Sequence, residues 1–425
     1  MTLSRRNWMM GGLGALTAGL ASAGRPAQAE GARPPKNLLL VLVYGGWDVT
    51  YLFDPKPGLA TVDVPAGTTE IVSGIPIFTH ASRPNARAFF EAYGGASTVV
   101  NGIQVQSINH PDCTKRILTG TASETNPDVG AIAAYELAAD LPAPYLVLGP
   151  TAYTGPLASI AARTGTLTQV KGLMDPSLAF PPPEGSVARF APSPTEASLI
   201  ADYVKARAER ERKTRGQLGY NARRIDDFVR SLDRGDALKG FSDAFGDDFS
   251  FTLDIRVQID IALRALQEGL SHTVHLEQSF APWDTHAGND LQATLFEDLM
   301  DALKTLGDEL SSRPGKAPGS KMLDETVVAV VSEMSRTPLL NGAMGKDHWP
   351  VTSALFFGGG ITGGRSIGAT GENLEALPID LATGVGSADG TILQYSNLVS
   401  GLLGAVGVDA TPYLPNAEPL HALLA

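Results

Sequence analysis

Cysteine is nearly absent: Cys113 is the only one in 425 residues. No disulfide can form within the chain, and a metal site could draw on little besides nitrogen and oxygen donors. Basic residues are also short. Lys and Arg number 33 against 45 Asp and Glu, a formal charge of −12, and this excludes the electrostatic footprint of a nucleic-acid-binding protein. Beyond the N-terminus no apolar run is long enough to be read as a membrane span. Histidine is scarce as well, with seven residues, so where the histidines cluster carries information. What is present, 43% hydrophobic and 18% charged side chains, excludes disorder and a fibrous repeat. The 46 Gly and 29 Pro are spread between apolar runs, as in a loop-rich α/β enzyme. No repeat is evident at a period of 20 to 50 residues.

The first residues read as an address. Ser4-Arg5-Arg6-Asn7-Trp8-Met9 precede an apolar stretch from Met10 to Ala23, and Ala27-Gln28-Ala29 follow. Twin arginines, a weakly hydrophobic core and an Ala-x-Ala ending describe a twin-arginine signal peptide over 1–29, cleaved after Ala29. Gly11, Gly12, Gly14 and Gly19 interrupt the stretch and argue against an anchor. The expected partner during export is the twin-arginine translocase, and the expected location is periplasmic or secreted. The segment holds three of the basic residues and none of the acids, so residues 30–425 carry −15. A protein that folds in a reducing cytoplasm before export must rely on its core, and 396 residues can supply one.

Residues 30–425 read as a single α/β domain. Asn37–Tyr44 is an unbroken apolar run ending at Gly45-Gly46-Trp47-Asp48, the pattern of a buried parallel strand. Further strands are expected at Thr98–Asn101, Tyr145–Leu148, Thr273–Gln278, Thr326–Ser332 and Ala354–Phe357. Helical periodicity marks Pro84–Tyr93, Asp128–Ala139, Asp254–Leu270, Leu291–Ser311 and Thr391–Val406. The alternation predicts a doubly wound, mostly parallel sheet with helices on both faces. A proline-rich and helical insertion is expected at about 181–250. Its charged run Ala206–Lys213 reads as a solvated helix face, with a lid over the strand ends as the other reading, and Asp226 and Asp227 are expected to be solvated.

The polar residues gather at strand ends. Asp48, Asn109-His110-Pro111-Asp112, Trp283-Asp284-Thr285-His286, Ser332-Glu333-Met334-Ser335-Arg336 and Asp347-His348-Trp349 would share one rim of a parallel sheet. Carboxylates and imidazoles converging from separate loops are the usual means of holding Mn²⁺, Zn²⁺ or Ca²⁺ without thiolates. Asp48, Asp284, His286, Glu333, Asp347 and His348 are the candidate ligands, one or two divalent ions being expected. Arg336 and Lys115 are candidate charge partners for an anionic substrate, with a structural salt bridge as the other reading for either. His80, His272, His275 and His421 read as structural or surface residues.

Three blocks carry a resemblance: Gly45-Gly46-Trp47-Asp48, Trp283-Asp284-Thr285-His286-Ala287-Gly288-Asn289, and Ser332-Glu333-Met334-Ser335-Arg336-Thr337-Pro338 leading to Gly345-Lys346-Asp347-His348-Trp349-Pro350. In this order, from about Lys36 to about Val408, they resemble the DUF1501 family, secreted bacterial proteins grouped with the alkaline phosphatase and sulfatase superfamily. Met334-Ser335 stand where the family usually has Phe-Gly. The resemblance implies an alkaline phosphatase-like fold and a two-metal site, with Asp48 and Glu333 on one ion and Asp284, His286 and His348 on the other. The superfamily places a Ser, Thr or modified Cys nucleophile about ten residues before a Thr-Gly. Here that position, counted from Thr119-Gly120, is His110. His110 could be a metal ligand with metal-bound hydroxide attacking, a phosphohistidine-type nucleophile or general acid, or a sign that hydrolysis is lost. Cys113-Thr114-Lys115-Arg116 lacks the sulfatase proline, against a formylglycine precursor. The implied function is an exported metal-dependent hydrolase of phosphate or sulfate esters. A non-catalytic exported binding or structural protein of the same fold is the alternative, and phosphomutase-type transfer a third.

Overall fold

The structure, a computed structural model, describes residues 34–164, 169–175, 192–245, 252–278 and 283–424. The expected signal peptide and the proline-rich start of the insertion lie outside the described residues. In chain order the main elements are β1 (Asn37–Val43), α1 (Pro84–Tyr93), β2 (Ser97–Gln104), α2 (His110–Thr119), α3 (Val129–Ala138), β3 (Tyr145–Val147) and β4 (Ala161–Arg163). They continue with α4 (Pro194–Thr214), α5 (Gly219–Lys239), α6 (Ile255–Gln267), β5 (Thr273–Gln278), α7 (Leu291–Ser312), β6 (Thr326–Ser332), β7 (Val351–Gly358), β8 (Arg365–Ile367) and α8 (Tyr395–Val406).

The strands form one eight-stranded sheet in the order β8-β2-β7-β6-β1-β5-β3-β4. All pairings are parallel except those of β7, which runs antiparallel to both β2 and β6. β1 is buried at all seven positions, and its alternate residues serve two cores. Leu39, Val41 and Val43 pack with α1, α6 and α7, while Leu38, Leu40 and Leu42 pack with α2, α3 and α8. The sheet is therefore covered on both faces, as the alternating sequence pattern predicts. Asp128 and Asp254 stand just outside α3 and α6 as N-caps, accepting from the amides of Ala131 and Arg256.

The antiparallel β7 was not foreseen, and it matters for the site. A strand that runs backwards begins at the edge where its parallel neighbours end. Residues entering β7, including His348, thus lie on the same rim as those leaving β1, β5 and β6. The edge strands β4 and β8 were also missed; each has only three residues and no apolar run. The last helix begins at Tyr395 rather than Thr391 because Thr391–Ile392 pairs with Pro378–Ile379.

Within the insertion, α4 and α5 are mostly exposed, and Arg212 pairs with Asp226 across them at 2.5 Å. Asp227, expected to be solvated, is half-buried, and burial raises its pKa. Arg234 donates to the carbonyls of Ala139 and Ser159 at 2.9 and 2.7 Å. Those carbonyls precede β3 and β4, so this anchor is at the edge opposite the strand ends, which does not suit a lid. No helix among the described residues is long and apolar enough to cross a membrane.

Candidate metal centre

β1 stops at Gly45 and Gly46, whose φ of +120° and +82° belong to the region that favours glycine. A Cβ on Gly45 would stand 2.9 Å from that of Trp283, so the lack of a side chain lets the loop after β5 close on the end of β1. Arg336, wholly buried, ties the turn down. Its Nε donates to Gly46 O at 2.8 Å, its Nη1 to Lys346 O at 3.3 Å, and its Nη2 to Gly45 O and to Asp284 Oδ1, the latter at 2.7 Å. Of the two readings of Arg336, a partner for an anionic substrate and a structural salt bridge, the contacts fit the second: it fixes Asp284 and the backbone around it.

Asp284 is the pivot. Its Oδ1 lies 3.2 Å from both His286 Nε2 and His348 Nε2, and its Oδ2 lies 3.5 Å from His110 Nε2. Donor atoms of His110, Asp284 and His348 all fall within 4.8 Å of one another, and His286 Nε2 is 3.0 Å from His348 Nε2. Burial works against the Asp284 carboxylate, but the Arg336 hydrogen bond and charge and the neighbouring imidazoles outweigh it, and its pKa falls to about 2.

The far nitrogens of the three rings each meet a group that can only accept. His110 Nδ1 is 2.7 Å from Glu333 Oε1, His348 Nδ1 is 2.7 Å from Ile108 O, and His286 Nδ1 is 3.0 Å from Asp347 Oδ1. Each Nδ1 is therefore the ring's donor in its neutral form, and Nε2 is then the nitrogen with a lone pair to offer a metal. Without a metal, burial works against the charged His110 ring, but the Glu333 hydrogen bond and charge outweigh it and raise its pKa. With both rings neutral in that form, the Nε2 lone pairs of His286 and His348 would face each other, and the buried Nε2 of His110 has no hydrogen-bond partner. A cation among these atoms would relieve both problems. Donors around a tetrahedral ion with bonds of about 2.1 Å stand roughly 3.4 Å apart, close to the spacings here. The residues present thus fit a divalent ion of the kind the sequence implied.

Other expected residues are placed elsewhere. The structure does not turn Asp48 into this cluster: Lys346 Nζ reaches its Oδ2 at 2.8 Å, Asn289 Nδ2 donates to it at 2.8 Å, and the amide and hydroxyl of Thr50 donate at 3.0 and 2.7 Å. Glu333 stands behind His110, its Oε1 also accepting from Gly45 N at 2.8 Å. Asp347 stands behind His286 and accepts from Asn341 Nδ2 at 3.3 Å. Lys115 is paired with Asp112 at 3.3 Å and with Glu124 at 3.7 Å. Near the expected nucleophile position, Thr114 Oγ1 donates to His110 O, and burial pushes the Cys113 thiol up to about 11.

Three residues at this rim escaped sequence reasoning. Lys346 is one, masked by the more conspicuous Asp347-His348 beside it. Tyr44 is another; its ring packs 5.4 Å from that of His110. The third is Glu277, a lone acid in the apolar run of β5, buried and accepting from Thr151 N and Oγ1 at 2.8 and 3.0 Å. Burial raises its pKa to about 7, with Glu333 adding repulsion. Because the folded value exceeds the unfolded one, folding favours the protonated acid. The stabilisation is complete below about pH 4.3 and lost as pH rises towards 7, by up to about 3 kcal/mol. Glu277→Gln should therefore flatten the fall in urea midpoint between pH 4.5 and 7.5; an unchanged slope would show that another group causes it.

The fold and this rim define the class: a doubly wound α/β protein with a histidine and carboxylate cluster at the carboxyl ends of its sheet. Residues 254–408 match the family described as protein of unknown function (DUF1501), so the resemblance read from the sequence holds over that stretch. No curated protein matches the chain. Among solved structures it is similar to a protein of the alkaline phosphatase superfamily from Vibrio parahaemolyticus, 12% identical, covering 91% of this chain and 70% of that one at a TM-score of 0.39. It is also similar to the lipoteichoic acid synthase LtaP of Listeria monocytogenes, with 11% identity, 96% and 80% coverage and a TM-score of 0.39. A sulfatase from Pseudoalteromonas sp. gives 12% identity, 92% and 72% coverage and a TM-score of 0.32.

Proposed function

We propose that this protein is an exported, metal-dependent hydrolase of phosphate or sulfate esters, translocated by the twin-arginine route. The observation that carries the metal is the convergence of His110, Asp284 and His348 from three separate segments of the chain onto one point. The ester class rests on the resemblance of the three sequence blocks. A bound divalent ion would supply an activated water and neutralise charge on the ester. The chain's own residues prepare for this: Arg336 holds Asp284 ionised, Glu333 holds the His110 ring, and Tyr44 covers one side of that ring. Asp284 and His286 are each about half exposed on the side chain, at 47%, so the centre is open to a substrate from solvent.

One observation favours the second reading, a non-catalytic binding protein: Arg336 and Lys346 are buried and internally paired, which leaves charge neutralisation to the ion. The two readings separate in one experiment. The purified chain, loaded with Zn²⁺ or Mn²⁺, is assayed on p-nitrophenyl phosphate and p-nitrophenyl sulfate before and after chelation. Hydrolysis that stops on chelation and in His110→Ala is the expected result. Bound metal without hydrolysis of either ester selects the binding protein, and less than one ion per chain sinks the metal reading itself.

A further inference from the structure

We infer that the centre takes a single borderline divalent ion, in the class of Zn²⁺ or Co²⁺, on three imidazoles and one carboxylate, with Glu333 acting as a positioning residue rather than a ligand. This rests on the metal reading above and narrows it. The ligand set is His110, Asp284 and His348, whose donor atoms lie within 4.8 Å of one another, joined by His286, whose Nε2 stands 3.0 Å from His348 Nε2 and 3.2 Å from Asp284 Oδ1.

The choice of ion follows from the donors. Three imidazole nitrogens against one carboxylate favour borderline transition ions, whereas Ca²⁺ and Mg²⁺ need a shell of oxygens. The number of ions follows from where the other carboxylates are committed. Asp48 is already neutralised by the Lys346 ammonium at 2.8 Å. Glu333 Oε1 accepts from His110 Nδ1 and Gly45 N, and its Oε2 from Ser332 Oγ at 3.2 Å. Asp347 Oδ1 faces His286 Nδ1 and Asn341 Nδ2. All four carboxylates are held by the chain, Asp284 by Arg336, but only Asp284 also faces the Nε2 nitrogens, so a second ion would have to compete with an ammonium at Asp48 or with the ring N–H groups at Glu333 and Asp347.

The role of Glu333 follows from the same distances. It lies against the nitrogen of His110 that faces away from Asp284, and it is wholly buried. A carboxylate in that position fixes the tautomer, aims Nε2 and makes the ring a better donor. Asp347 does the same for His286, and the carbonyl of Ile108 for His348.

The test is metal binding, read without any turnover. Co²⁺ is titrated into the metal-free full-length chain and followed by visible absorption, with Zn²⁺ and Ca²⁺ as competitors. One Co²⁺ per chain is expected, displaced by stoichiometric Zn²⁺ but not by a thousandfold excess of Ca²⁺. Glu333→Gln keeps an acceptor oxygen for His110 Nδ1 and Gly45 N, and its amide can donate to Ser332 Oγ in place of accepting from it, so it should fold; it should bind one Co²⁺ about 10- to 100-fold more weakly. The deciding comparison is His110→Ala with and without Glu333→Gln. A residue that acts only through His110 adds nothing once His110 is gone, so the double variant should bind as His110→Ala does. A further loss in the double variant would make Glu333 a ligand and overturn the assignment, as would two ions per chain or displacement by Ca²⁺. Failure of the wild-type chain to bind any Co²⁺ or Zn²⁺ would instead overturn the underlying metal reading.

Discussion

Asp284→Asn is expected to leave the protein folded and to abolish metal binding at the rim. Asparagine keeps an oxygen for Arg336 Nη2 but removes the carboxylate that the three Nε2 contacts share. The carboxylate's pKa of about 2 reflects a site where burial is outweighed by the Arg336 guanidinium and the surrounding imidazoles. The loss in affinity should exceed the 10- to 100-fold expected for a residue that only supports a ligand. Any metal-dependent hydrolysis should go with it. Stability should fall as well, by about 1 kcal/mol, because the guanidinium loses a charged acceptor whose charge is screened by solvent on its 47% exposed side. The sign of the pH effect provides an internal check. A depressed carboxylate contributes stability above its unfolded value, near pH 3.9, and the contribution vanishes as pH falls through about 2. The metal-free wild type should therefore lose its advantage over Asp284→Asn in acid. Wild-type Co²⁺ affinity in the variant would remove Asp284 from the site.

Much of this arrangement was legible in the sequence, and the rest was not for identifiable reasons. β1, β5 and β6 are continuous apolar runs, and a buried parallel strand needs no more signal than that. Asp284, His286 and His348 were visible because polar residues placed just beyond such strands collect at one edge. The partition of roles was hidden, since it depends on which side of a ring each carboxylate faces. Glu333 and Asp284 look equivalent in sequence, yet one meets Nδ1 of His110 and the other approaches Nε2. Asp48 looks like a ligand until Lys346 arrives from 298 positions along the chain to pair with it. The direction of β7 was equally invisible, because a fully buried strand reads the same whichever way it runs.

Lys346→Met should produce the largest loss of stability among the substitutions considered. Lys346 and Asp48 form a fully buried ion pair, with side-chain exposures of 1% and 0%. The ammonium also donates to Asp63 O at 2.8 Å. Methionine retains the apolar stem but strands the carboxylate among Asn289 and Thr50, which donate hydrogen bonds without offsetting its charge. Breaking a buried pair from one side costs about 3–5 kcal/mol, while removing both charges can be nearly neutral. The urea midpoint should fall accordingly in Lys346→Met and recover substantially when Asp48→Asn is added. The same residue governs the geometry of the centre. Lys346 N donates to Thr285 O at 3.0 Å, a Cβ on the adjacent Gly345 would overlap the carbonyl of His286, and His348 follows two residues on. Loosening this segment should therefore weaken Co²⁺ binding even though Lys346 touches no proposed ligand side chain, and Asp48→Asn should restore stability more fully than it restores affinity. A midpoint shift equivalent to less than about 1 kcal/mol, the range of an exposed pair, would show that Asp48 is not held as a buried anion, and the case for a single ion would lose its main support.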